Sequence, residues 1–137
     1  MNRGLWRRIA AAGLVLALAG VPVAAQTTVL TPDQTRALAI TAHRAQNPQL
    51  AADLAQVLIG RDAEDSVAHQ ILAAARYAMG DYPGAFSAGR AGFRTARTAR
   101  ERHDAAMIVA EAAYKERRIG TARFWLRRAA EAAPDAA

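Results

Sequence analysis

The 137-residue chain contains no cysteine, which excludes a disulfide, a thiolate nucleophile and a cysteine-ligated metal. Aromatic residues are few, at 6% of the chain, so packing must rest on small aliphatic side chains. Lys115 is the only lysine, and the remaining positive charge is arginine. Ser66 and Ser87 are the only serines. His43, His69 and His103 fall at three different positions of the repeat described below and cannot easily converge. No HExxH pattern, glycine-rich phosphate loop or close pair of carboxylates occurs. Neither an enzyme, a metal centre nor a bound cofactor is expected from this inventory.

One apolar run is present, at the amino end. Met1–Arg8 carries three arginines and no acid, and Ile9–Ala19 is unbroken Ile, Ala, Gly, Leu and Val. Pro22 breaks any helix, and Val23-Ala24-Ala25 offers small side chains for cleavage. Residues 1–25 read as a secretory signal peptide cleaved after Ala25. The run is well short of the roughly 20 residues that span a bilayer, so no transmembrane segment is expected after cleavage. No cysteine follows it, so lipid attachment there is not expected. Arginine-rich, lysine-poor composition fits a bacterial gene of high GC content, and export then leads to the periplasm or the periplasmic face of the outer membrane. Without Arg3, Arg7 and Arg8 the chain has 15 basic and 12 acidic residues, so the net charge drops from +6 to +3. That modest charge and the export signal argue against nucleic acid as a partner.

Residues 26–137 form one domain built on an internal repeat. Segments 32–65, 66–98 and 103–136 can be laid over one another as three helical hairpins. Leu38 aligns with Leu72 and Val109, Ala39 with Ala73 and Ala110, and Ala51 with Ala85 and Ala122. The third copy slips by three residues, which predicts a longer connection within 94–102. No segment alternates with period two, so the fold class is all-α. Thr31-Pro32-Asp33-Gln34 is a capping box with proline at the first helical position. Asn47-Pro48 repeats that signal, Asp65 or Ser66 caps the third helix, and Gly80-Asp81 and Pro134 mark further boundaries. Six helices are predicted: 32–45, 48–60, 66–79, 82–93, 101–117 and 120–132. Gly84, Gly89 and Gly92 fall inside the fourth. An interior glycine costs about 1 kcal/mol relative to alanine, so that helix and the arginine-rich stretch after it are expected to be the weakest part.

A period of about 34 residues with small-residue and aromatic columns resembles the tetratricopeptide repeat (TPR). Leu72-Ala73, Tyr77, Gly80-Asp81-Tyr82 and Ala85 carry the likeness in copy two. Copy three contributes Val109-Ala110, Tyr114, Ala122, Ala129 and Pro134, and copy one Leu38-Ala39 and Ala51. The family's early tryptophan is absent, and Asn47-Pro48 replaces the Gly-Asp turn in copy one. The resemblance implies an α-solenoid of three hairpins after the signal peptide, with a groove lined by the first helix of each. More narrowly, 30–39 and 122–130 resemble the periplasmic helical-repeat domain of outer-membrane proteins of the surface lipoprotein assembly modifier type.

The family's groove positions fall on Arg36, Ile40, His43 and Arg44 in copy one and on Gln70 and Tyr77 in copy two. In copy three they fall on Met107, Glu111, Tyr114 and Lys115. The column His43–Tyr77–Tyr114 is suited to anchoring an extended peptide, since flat amphipathic rings are good anchors. The carboxylate clamp of chaperone-binding members is not supported, because its Asn and Lys positions hold mostly other residues. Phe124, Trp125 and Leu126 are consecutive, so at least one must face away from its own hairpin, and they form a candidate docking face. Arg90, Arg94, Arg97, Arg100 and Arg102 have the chemistry to grip an anionic lipid head group or an acidic partner, but a charge run of this kind reads first as a solvated loop. The expected function is that of a periplasmic adaptor binding a protein or peptide partner through the groove. The alternative is a structural module that docks onto an outer-membrane barrel, or self-associates, through its last helix.

Overall fold

The computed structural model describes residues 29–134; the signal peptide and its cleavage site lie outside the described residues. Six helices follow one another: α1 (Pro32–Arg44), α2 (Pro48–Arg61), α3 (Ser66–Ala78), α4 (Tyr82–Thr95), α5 (Ala99–Lys115) and α6 (Ile119–Glu131). There is no strand among the described residues, and the all-α expectation holds. No helix among them is long and apolar enough to cross a membrane.

Local chemistry sets the helix starts. Thr31 and Gln34 form the reciprocal capping box, with Pro32 in the first turn. Asn47, Asp65, Asp81 and Thr98 each accept a hydrogen bond from the backbone N–H three residues on, which satisfies a donor the helix itself cannot. Only α6 begins without a side-chain cap.

The three intra-hairpin turns are the same turn. Gln46, Gly80 and Arg117 stand at equivalent repeat positions and have φ of 59°, 79° and 58°. In each, the next residue's N–H returns to a carbonyl five residues back: Asn47 to Ala42, Asp81 to Arg76 and Arg118 to Ala113, all at 2.9 Å. This is the Schellman closure, which favours glycine at the left-handed residue. Copy one, which lacks the Gly-Asp turn in sequence, adopts it in structure with Gln46.

The slip between copies two and three corrects one expectation. The connection from α4 to α5 is short, Ala96-Arg97-Thr98, against the four residues 62–65 between α2 and α3. The extra length lies in α5, which has 17 residues where α1 and α3 have 13. Of the supposed arginine loop, Arg90 and Arg94 belong to α4, Arg100 and Arg102 to α5, and only Arg97 to the connection.

Every helix packs on its chain neighbours. The odd-numbered helices also meet one another in sequence, α1 with α3 and α3 with α5, whereas the backbones of α2, α4 and α6 stay apart. All the fully buried apolar residues except Leu58, Leu72 and Val109 are alanines. Such small side chains let helix axes approach closely. Glycine takes this further in α4. A methyl added at Gly89 would lie 2.6 Å from Val109 Cγ2 on α5, and one at Gly92 would lie 3.2 Å from Gln70 Cγ on α3. Both glycines are buried. They serve close contact between helices, which counters the reading of α4 as the weakest element.

Candidate protein-binding surface

The expected groove residues separate into two groups. Arg36 and Gln70 occupy equivalent positions on α1 and α3, and each reaches forward to the first turn of the next odd helix. Arg36 donates to Asp65 at 2.6 Å and to Asp33 at 3.0 Å. Gln70 Nε2 donates to the Glu101 carbonyl at 3.0 Å. Ser66 Oγ adds a 2.6 Å bond to Glu101 Oε2, which also accepts from the Arg97 N–H. Burial drives the Asp65 carboxyl upward, but the Ala68 N–H and the Arg36 guanidinium outweigh it and hold the group below the usual carboxylate range. Glu101 is likewise held low, by the Ser66 hydroxyl first and the Arg97 amide second. The hydrogen bond to Asp65 raises Arg36. These side chains tie hairpins together, so Arg36 and Gln70 are structural rather than free for a partner. Met107, the equivalent residue of α5, is half-buried and makes no such bond among the described residues.

The second group gathers near the last hairpin. Tyr77, Ala110, Glu111, Tyr114, Ala122 and Leu126 enclose a small cavity of about 160 Å³ whose walls are almost wholly apolar. Tyr77 is braced edge-on by Tyr82, with ring centroids 5.4 Å apart. Tyr114 is 65% exposed and Leu126 47% exposed. Ile40 and His43 are half-buried, while Arg44 and Lys115 are exposed. None of these four lines the cavity, so the ring column contributes Tyr77 and Tyr114 but not His43.

The run 124–126 splits between two surfaces. Leu126 joins the tyrosine cavity, whereas Trp125 packs edge-to-face on Phe93 at 5.2 Å and on Phe124 at 5.6 Å. Leu126 stands where Ala55 and Gly89 stand in the earlier hairpins, and both of those are buried. Gly89 receives Val109 from the following odd helix. No described helix covers the corresponding site on α6, so a large apolar side chain is left half in water. Leu38 is the mirror case at the other end. It is 41% exposed, while its equivalents Leu72 and Val109 are buried.

Two of the three histidines, His69 and His103, hold backbone carbonyls. His69 Nε2 lies 2.9 Å from the Ala63 carbonyl, and His103 Nδ1 lies 2.9 Å from the Ala129 carbonyl. No group of His, Asp and Glu that could hold a metal occurs among the described residues. Sequence reasoning missed the pairing of Arg90, Arg94 and Arg128 with Phe93, Phe124 and Trp125 across α4 and α6. Lining up the hairpins would have pointed to it, because Phe124 occupies a position held by Asp53 and Ser87. No protein-family model matches the chain, and a search of curated proteins finds no match.

Proposed function

We propose that this chain is a tetratricopeptide-repeat-like α-solenoid, exported to the periplasm, that acts as a non-enzymatic adaptor. Its surface of odd-numbered helices binds a protein or peptide partner. The apolar cavity bounded by Tyr77, Tyr114 and Leu126 carries this reading. Exposed aromatic and aliphatic side chains around an apolar notch are what an inserted apolar anchor needs. The shared turn in all three hairpins and the sequential contacts among α1, α3 and α5 support the repeat architecture.

The test places a photo-crosslinking amino acid at Tyr114 and, as a control, at Gln56 on α2. A partner crosslinked from Tyr114 but not from Gln56, and lost in Tyr77→Ala/Leu126→Ser with helicity unchanged, is the expected result. Equal crosslinking from both positions removes the cavity from the function. Export is checked by the mass of the mature chain, which should begin at Gln26.

The second reading, docking to an outer-membrane barrel or self-association through α6, draws on the exposure of Ile119, Phe124 and Leu126. Sedimentation decides the self-association arm. A monomer at high concentration whose solubility is unchanged by Leu126→Asp counts against it.

A further inference from the structure

The backbones of α4 and α6 do not meet, and side chains span the gap between them. Phe93 touches Trp125, and the Arg118 guanidinium lies 4.5 Å from the Phe86 ring centre. What remains is a cleft of about 540 Å³ lined by Arg90, Arg94 and Arg128 together with Phe93, Phe124 and Trp125. That volume falls among those of small-molecule sites, roughly 300–1,000 Å³.

Its charge is unbalanced. Arg128 approaches Glu131 at 3.7 Å, and its guanidinium lies 5.6 Å from the Phe124 ring and 5.9 Å from the Phe93 ring. Arg90 and Arg94 have no carboxylate partner among the described residues. No acid lines the cleft. Its apolar content also breaks the repeat. Position 124 is exposed Asp53 in α2 and exposed Ser87 in α4, yet here it is Phe, 46% exposed. Position 125 is half-buried Leu54 in α2, Ala88 in α4 and Trp here. Packing within the hairpin does not need the Phe124 ring, since the equivalent helices carry an exposed polar residue there.

Three arginines lining one cleft beside aromatic faces complement an anion with several oxygens, which arginine binds through paired N–H groups. The rings call for an apolar body attached to that anion. We propose that the α4–α6 cleft binds an anionic amphiphile, a phosphate ester on an apolar chain. Arg90, Arg94 and Arg128 hold the phosphate, and Phe93, Phe124 and Trp125 hold the chain. A free amphiphile and a lipid in a bilayer share this chemistry. The cleft lies apart from the tyrosine cavity, and its role does not depend on that surface.

The experiment uses the full chain with Trp6→Phe, so that Trp125 is the only tryptophan. Dodecyl phosphate, below its micelle concentration, should shift Trp125 emission to the blue and saturate. Inorganic phosphate and dodecyl maltoside should not. Arg90→Gln/Arg94→Gln should weaken the response by about tenfold or more with far-UV circular dichroism unchanged. Phe124→Ser should narrow the preference for dodecyl over butyl phosphate. Arginine-dependent co-sedimentation with phosphatidylglycerol vesicles but not phosphatidylcholine vesicles, without a dodecyl phosphate response, would assign the ligand to a bilayer. Equal affinity for dodecyl maltoside overturns the proposal. So does an arginine variant that keeps wild-type binding, or the absence of any response to either the monomer or the vesicles.

Discussion

At the scale of single residues, the three equivalent turns form an internal comparison. Gly80 takes its φ of 79° without a steric penalty, while Gln46 and Arg117 are held at 59° and 58° with a Cβ present. A non-glycine residue in the left-handed region costs roughly 1–2 kcal/mol, partly offset by glycine's greater unfolded-state freedom. Gln46→Gly and Arg117→Gly should therefore each stabilise the domain by about 0.5–1 kcal/mol, and Gly80→Ala should destabilise it by a similar amount. Thermal melts of the three variants check this. A gain of that size corresponds to a rise of several degrees in a domain of about 100 residues.

At the scale of helices, glycine's effect depends on what lies opposite. Gly89 faces Val109 so closely that a methyl there would clash, whereas a methyl at Gly120, at the start of α6, would meet nothing within 4 Å. Gly120→Ala should therefore follow helix propensity and stabilise by up to about 1 kcal/mol. Gly89→Ala should reverse the sign, costing about 1–3 kcal/mol as α4 and α5 are forced apart. Denaturant unfolding of both variants distinguishes the cases. If Gly89→Ala is stabilising, Val109 gives way easily and the close approach of α4 to α5 is not needed. The same opposition explains why α4 reads as weak in sequence: propensity counts its glycines as a cost, and packing uses two of them as contact surfaces.

At the scale of the whole molecule, the hairpins are joined by an alanine-lined core and by two ionic nodes at the first turns of α3 and α5. Asp65 and Glu101 both have folded pKa values below their ordinary ones. Their stabilisation is fully present above the unfolded pKa values, about 3.9 for Asp and 4.3 for Glu. It is lost as pH falls through that range and then through the lower folded values. The melting temperature should accordingly decline as pH drops from about 6 to about 3. Asp65→Asn keeps an acceptor for the Ala68 N–H but removes the charge facing Arg36, so Asp65→Asn/Glu101→Gln should flatten that decline. A variant with the wild-type slope would place the acid sensitivity elsewhere.

Much of the architecture is legible in the sequence alone. Helix starts at Thr31, Asn47, Asp65 and Asp81 are local chemistry, because a short polar side chain three residues before an orphan N–H caps it in any context. The alanine columns likewise determined that six helices pack at close range. Tertiary structure decided what local pattern cannot encode. The three-residue slip became an extra turn of α5, and Gln46 was driven into a left-handed turn by closure of its hairpin. Arg36 and Gln70, which look like groove residues in one dimension, reach across to the next helix and are occupied there. Leu126 and Trp125 are neighbours in the chain but about 100° apart around a helix, so one borders the tyrosine cavity and the other the arginine cleft. A side chain's role depends on which neighbour stands opposite it, and only the packing of the hairpins supplies that neighbour.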